Sequence, residues 1–295
     1  MRVYIEVGSL FTQSDKAVVE KVADALVRAG STFRPDKKSI YKKAIAAETN
    51  EVSKWCMETI LQNAEVAEKN HSPLCDDTGI PHVVLEIGPN SIVTGRTLEV
   101  IREGIRQGLQ ELPGRPMAVK GDDYHRLDQS LGMDEDPGAL EAAPILLRNT
   151  PDNVTRVHIL LFGGGPAIRG KTYRVFHKHS VQTILDEIVS WATDATTLLG
   201  CTPSTIAVGI GRSHYEASSM MLQSLVDGRY DKQSDMERAI TRRINEVGVG
   251  SLGLGGRTTV LATFMKVGPQ RASGVRVVCM RPCCCFEPRI AAVEI

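Results

Sequence analysis

Seven cysteines and two glycine-rich segments carry the most specific chemistry in this 295-residue sequence. The cysteines stand at 56, 75, 201, 279, 283, 284 and 285. Their odd count and uneven spacing do not make a secreted disulfide framework, which leaves buried thiols, catalytic thiols or metal ligands. Cys75 sits in SPLCDDTGIP, after a predicted helix and before a predicted strand. Cys201 sits in LGCTPSTIAVGIG, at a helix end that leads through Pro203 into a strand. Cys285 closes a CCC run and is followed by FEPRIAAVEI. Each lies at a junction where the backbone can turn to present sulfur. Three thiolates from distant segments suit an iron–sulfur cluster with one open iron; soft thiolates also take zinc, and geometry must separate the two. No CxxC pair is present, so a zinc ribbon is not supported. Cys56, on an apolar helical face, and Cys279, in a valine-rich strand, read as core packing.

The segments FGGGPAIRG (162–170) and GVGSLGLGGRTT (248–259) can bring backbone amides close to an anionic ligand, or can simply be tight turns. Neither has the spacing of a phosphate-binding GxxxxGK[ST] loop or of a GxGxxG dinucleotide turn, which argues against a nucleotide site. His82, His177, His179 and His214 are candidate acid–base groups, and His214 stands out because it follows Arg212.

Lys+Arg and Asp+Glu are both 35, so the formal net charge is zero and nothing points to nucleic acid or an anionic membrane as partner. The first residues, MRVYIEVGSLF, are too short and too interrupted by charge for a secretory h-region. No uncharged apolar run approaches the roughly 20 residues that span a bilayer. The expected compartment is the cytoplasm.

The elements that must position these residues begin with helices. Ser14 is the expected cap of a helix carrying Val18, Val22 and Leu26, with Gly30 as its stop. A second helix is expected after Pro35, and a third over 52–67 with Val52, Cys56, Ile60 and Ala64 on one face. Strands are expected at 82–88, 154–162, 171–178 and 204–211, with helices at 97–112 and 181–199. HYEASSMMLQSLV and a segment capped by Ser234 read as helices, and TTVLATFMKV, VRVVCM and RIAAVEI as strands. Residues 120–137 read as a long polar excursion. The reading is a mixed α and β chain: one catalytic domain over 1–295, with a helical part over about 1–70 and a sheet-containing α/β core over about 71–295.

Taken together, the segments resemble the α-type subunit of the iron–sulfur hydro-lyases, the class I fumarase and L(+)-tartrate dehydratase family, from about Ser31 to the C-terminus. PLCDDTG resembles the family's PxCQDTG, CTPSTIAVGIGRSHYEAS its CPPxxxGxGIGGxxExA, and GSLGLGGRTTVLA its GxxGLGGxTTALA. CFEPRIAAVEI aligns on CWxxRRAxxxI, which selects Cys285, with Cys283 and Cys284 as alternatives. The resemblance implies a class I fumarase α-type fold and reversible dehydration of a small hydroxy acid. It also implies a 4Fe–4S cluster held by Cys75, Cys201 and Cys285, with one iron free of cysteine.

Arg115, in GRPMAV, matches the family's LRPSVV segment as a carboxylate clamp. Asp77 matches its aspartate in CQDTG, and Gly164 and Gly165 give backbone approach to substrate. The sequence departs from the pattern at several expected substrate-lining positions. The glutamine after the first cysteine is Asp76, the lysine before GGG is Phe162, and the SEN after it is PAI. Thr202 replaces a proline, Arg212 a glycine, and Gln270 a histidine. Asp76, Arg212 and Gln270 are therefore expected substrate contacts that retune specificity, and Asp77 and His214 the acid–base candidates. The resemblance further implies a smaller β-type partner subunit and a dimer or a dimer of heterodimers. The rival reading is a non-catalytic iron–sulfur or zinc-binding protein.

Overall fold

The structure, a computed structural model, describes residues 11–112 and 114–295. The sequence reading of the first residues as no secretory leader lies outside this range. Two compact units form, each from separated stretches of chain: Met1–Ser31, His71–Leu161 and Ile290–Ile295 in the first, Thr32–Asn70 and Phe162–Arg289 in the second. The expected N-terminal helices are thus divided between units. Within the described residues no helix is long and apolar enough to cross a membrane.

In the first unit, helices α1 (Gln13–Ser31) and α4 (Gly95–Glu111) accompany a four-stranded sheet. Its order is β2 (Leu146–Asn149), β1 (Ile80–Ile87), β3 (Thr155–Phe162), β8 (Arg289–Glu294). Val22, Leu26, Ile101, Ile105 and Leu109 of the helices join Val83, Leu85, Val157 and Ile159 of the strands in one core. The helices approach closely because Gly104 faces α1; a Cβ there would stand 2.6 Å from Cβ of Val22. Thr12, not Ser14, caps α1: its hydroxyl accepts from the N–H of Asp15, whose carboxylate accepts from Thr12. Gly30 does not end the helix but lies inside it, against the side chain of Leu112. The polar excursion holds a short helix, α5 (Asp123–Asp128), and a bridge between Val119 and Met133. Strand β2 was not apparent in the sequence; it pairs parallel to β1, with Glu86 opposite Arg148.

The second unit holds helices α2 (Pro35–Ala47) and α3 (Glu51–Asn70) and a sheet of order β4 (Lys171–Phe176), β7 (Val275–Cys283), β5 (Ser204–Gly211), β6 (Val260–Val267). Strand β7 runs antiparallel to β4 and β5, and β6 parallel to β5. Helices α7 (Val181–Thr197) and α9 (Asp235–Asn245) cover Ile206, Val208 and Ile210 of β5. Helix α8 (His214–Asp227) lies against β5, and every residue of the strand is buried, as its unbroken apolar run predicts. Ser234 caps α9 in a capping box with Glu237. On α3, Cys56, Ile60 and Ala64 are buried as expected, but Val52 points out because Asn50 caps one residue before the helix starts. A single turn, α6 (Gly164–Ala167), follows β3 within the glycine segment.

Candidate active site

Within the second unit, Cys201 lies in the short link from α7 to β5, and Cys285 in the turn that follows β7. The N–H of Cys285 donates to the carbonyl oxygen of Cys201 at 2.8 Å, so the two expected ligand positions are adjacent along the backbone. Cys201 is exposed and Cys285 buried. The turn is closed by the N–H of Glu287 donating to the carbonyl of Cys284. The Cys284 and Cys285 thiols share a hydrogen bond that lowers Cys284 and raises Cys285, so the pair loses its first proton more easily than its second. Cys283, the last residue of β7, is fully buried, and burial pushes its thiol well up. Cys56 and Cys279 are buried, as their sequence setting suggests, and Cys279 sulfur accepts from Ser218.

A buried ionic group, not apparent in the sequence, surrounds this turn. Arg281 donates to both oxygens of Glu287, at 2.6 and 3.2 Å, and from Nη1 to the sulfur of Cys283. The N–H of Gly163 donates to the same carboxylate, and the Arg281 guanidinium stacks 4.1 Å from the centroid of the Phe162 ring. Burial would raise the Glu287 carboxyl, but Arg281 outweighs it and holds the group charged. From α2, Lys37 Nζ donates to the Glu287 carbonyl at 2.8 Å, and Tyr41 Oη to the Cys285 carbonyl at 2.7 Å. These two residues are one helical turn apart and therefore share a face. The ring of Phe33 completes that face, 4.1 Å from the Lys37 ammonium. Burial pulls Lys37 down to about 8, with the cysteine thiols and Glu287 pushing back.

Two further contacts fix the Cys201 link. The Thr202 hydroxyl donates to the Gly250 carbonyl and accepts from the Gly253 N–H, while the Leu252 N–H donates to the Thr202 carbonyl. The glycine-rich loop is held at its other end by Glu48, whose carboxylate accepts from the amides of Arg257 and Thr258. Burial favours the neutral acid, but backbone amides from Asn50, Thr49, Arg257 and Thr258 outweigh it and lower the Glu48 carboxyl. The loop is thus a structural brace for the residue beside Cys201. Gly164 and Gly165 open α6 immediately after Gly163, and so stand by the Cys285–Glu287 turn. Arg169, overlooked in the sequence, donates to the Leu198 carbonyl at 2.7 Å and to that of Gly165, placing a guanidinium between α6 and the Cys201 link.

Arg212, His214 and Gln270 lie elsewhere in this unit. Arg212 and His214 follow the last residue of β5, whereas Cys201 precedes its first. Gln270 donates to the Ile210 carbonyl at that same far end. An eight-residue strand advances roughly 25 Å at ~3.3 Å per residue, so these three do not join Cys201 and Cys285. Arg212 is also engaged in a bidentate pair with Glu216 on the first turn of α8.

In the first unit, Cys75 precedes β1 and is partly exposed, with its sulfur 3.5 Å from the Asp76 carboxylate. Arg115 Nη1 reaches Asp76 at 3.5 Å, and the Arg115 carbonyl accepts from the hydroxyl of Thr78. Asp77 accepts from the Gly79 N–H, closing a short turn. Cys75, Asp76, Asp77 and Arg115 therefore form one local group. His82 contacts the Ile80 carbonyl, and His177 is buried against that of Ser273, so both act as structural hydrogen-bonding groups.

Among the described residues no three His, Cys, Asp or Glu side chains converge as a ready metal-binding group. The donor chemistry of the second unit nonetheless fits a thiophilic, anionic group. Cys201 and Cys285 are joined by a backbone hydrogen bond, and the buried cations Lys37 and Arg281 donate to the Glu287 carbonyl and to the Cys283 sulfur of the same segment.

The family model for fumarate hydratase (Fumerase) matches residues 19–294. The protein described as "Putative L(+)-tartrate dehydratase subunit alpha" of Methanocaldococcus jannaschii is 26% identical over 291 residues, covering 93% of this chain and 98% of that protein. The L(+)-tartrate dehydratase subunit alpha of Escherichia coli K12 is 21% identical over 282 residues, covering 92% and 89%. A protein of Geobacillus stearothermophilus described as "Putative fumarate hydratase class I" is 27% identical over 225 residues, 71% of this chain but 41% of its own length. With the family model matching nearly its whole length and a mixed α and β fold, the chain belongs to the fumarate hydratase family of hydro-lyases.

Proposed function

We propose that this chain, acting over 1–295 as one α-type catalytic domain, is the iron–sulfur subunit of a hydro-lyase. Its reaction is the reversible dehydration of a small hydroxy acid of the malate or tartrate kind. The observation that carries this reading is the backbone bond between Cys285 and Cys201, set among buried cations. Cys75, Cys201 and Cys285 are assigned as ligands of a 4Fe–4S cluster. When bound, the cluster supplies a Lewis-acidic iron without a cysteine ligand, which favours loss of the substrate hydroxyl.

The chain's own residues are assigned the remaining work. Arg115 binds a substrate carboxylate, for which it must leave Asp76. Gly164 and Gly165 leave room for substrate backbone contacts beside the Cys285 turn. Asp77 is assigned to proton transfer because it shares the Cys75 turn, whereas His214 lies at the far end of β5. Asp76 places an acceptor where the family pattern has an amide, which selects a substrate that can donate a hydrogen bond there. The names of the alpha-subunit relatives support a smaller β-type partner, here taken as a dimer of heterodimers in the cytoplasm.

Iron and acid-labile sulfide, measured with EPR on anaerobically reconstituted protein, test this reading. About four irons per chain and an EPR signal perturbed by hydroxy acids are expected. A chain that takes up no cluster after reconstitution would sink it.

A further inference from the structure

Lys37 is 1% exposed, and its ammonium donates to a neutral carbonyl rather than to a carboxylate. Burying a charged lysine is costly unless an anion offsets it. Glu287 offers Lys37 its carbonyl, while its carboxylate oxygens are engaged by Arg281 and by the N–H of Gly163. The bond to the Glu287 carbonyl sets Lys37 against the turn that carries the cysteine run, since the N–H of Glu287 donates to the carbonyl of Cys284. The Lys37 ammonium lies 4.1 Å from the centroid of Phe33, on which Tyr41 stacks, and Tyr41 donates to the Cys285 carbonyl. Helix α2 therefore delivers a buried cation to the turn that carries Cys285.

We propose that Lys37 is a positioning residue of the cluster site, a built-in counter-charge that stabilises the reduced, more anionic state and so sets its reduction potential. The inference rests on the reading of Cys285 as a cluster ligand. Each reduction adds one electron, supplied in the test by dithionite, and one negative charge beside the Lys37 ammonium. Removing the ammonium must then disfavour the reduced state, while an equally charged replacement must not.

The test is an EPR-monitored dithionite titration of reconstituted wild type, Lys37→Met and Lys37→Arg, with far-UV circular dichroism as the check on folding. Lys37→Met is expected to lower the reduced-to-oxidised ratio at the wild-type midpoint about tenfold, ~59 mV for one electron. Lys37→Arg is expected to stay close to wild type. If Lys37→Met does not fold, Glu287→Gln answers the same question with the opposite sign, since removing that charge should raise the midpoint. A folded Lys37→Met, or failing that Glu287→Gln, with the wild-type midpoint overturns the proposal. Wild type that assembles no cluster overturns the functional reading itself, and so the two failures are told apart.

Discussion

The N–H of Cys285 donates to the carbonyl oxygen of Cys201 at 2.8 Å, just past the end of the antiparallel ladder between β5 and β7. The bond makes the position of one thiol depend on the other, and it singles out Cys285 from its two neighbours. Cys283 is committed to the strand, where Arg281 donates to its sulfur and its carbonyl accepts from Ser204. Replacing Cys201 or Cys285 with serine should therefore abolish iron uptake, whereas Cys283→Ala and Cys284→Ser should retain it. Iron and sulfide per folded chain decide the matter. Retention of iron by Cys285→Ser together with its loss in Cys284→Ser would move the ligand by one residue.

The hydroxyl of Thr202 stands where the family pattern has proline, and it holds Gly250 and Gly253 to the Cys201 link. Thr202→Val keeps the shape but leaves the buried Gly250 carbonyl without that partner, a loss of ~1–3 kcal/mol. Urea denaturation should report a fall of that size. Alkylation of Cys201 should also become faster, since the brace of the adjacent loop is gone. Unchanged alkylation would mean that the loop does not fix this cysteine.

Most of the elements were legible because apolar residues recur at the helical period or crowd into strands, and the thiols at element junctions could be found by the same marks. Strand β2 escaped because four residues carry too little pattern. Thr12 and Ser14 are both good caps two positions apart, and only the Asp15 that answers Thr12 separates them. The ionic group around Cys285 was illegible for a different reason: Lys37 and Glu287 meet across a separation of 250 residues. A signal did exist in RPCCCFEPR, where Arg281, Glu287 and Arg289 stand in an apolar stretch that must be buried, and buried charges demand partners. Arg212, His214 and Gln270 were matched by position in the family pattern, which carries no record that an eight-residue strand lies between Cys201 and Arg212.

Arg115 and Asp76 form an ion pair at 3.5 Å with both side chains well exposed, at 50% and 81%. Such a pair is worth ~0–1 kcal/mol, little enough that a substrate carboxylate can displace Asp76. Asp76→Asn should then lower KM for a dicarboxylate substrate several-fold by removing the competitor. Arg115→Met should raise KM about tenfold or more, as expected for a lost charge-assisted hydrogen bond of ~1.5–3 kcal/mol. Arg169→Met offers a parallel measurement in the second unit, with KM rising if its guanidinium also meets the substrate. Steady-state kinetics of the assembled enzyme read all three; an Asp76→Asn enzyme with unchanged KM would remove Asp76 from the substrate's surroundings.

The acid limit of stability should be set in part by Glu86, which accepts from Arg148 and Arg156 and lies 3.1 Å from His158 on the first unit's sheet. Burial alone would raise its carboxyl, but hydrogen bonds from Arg148 and the close approach of His158 outweigh it and hold the group at about 2, against an ordinary 4.5. A carboxyl lowered by folding stabilises the protein above its unfolded value and loses that contribution as pH falls through the folded one. The difference amounts to at most ~3 kcal/mol at 1.36 kcal/mol per unit, lost between about pH 4.5 and 2. His158 adds an earlier step of the same sign. Burial lowers its imidazole below 6.5, so the unfolded chain binds the proton first and stability falls as pH drops past that value. Denaturation of wild type and Glu86→Gln from pH 7 to 2 should show a stability gap that is full near neutrality and closes below pH 4.5. A gap that stays constant over that range would mean that the Glu86 charge is not what the arginines stabilise.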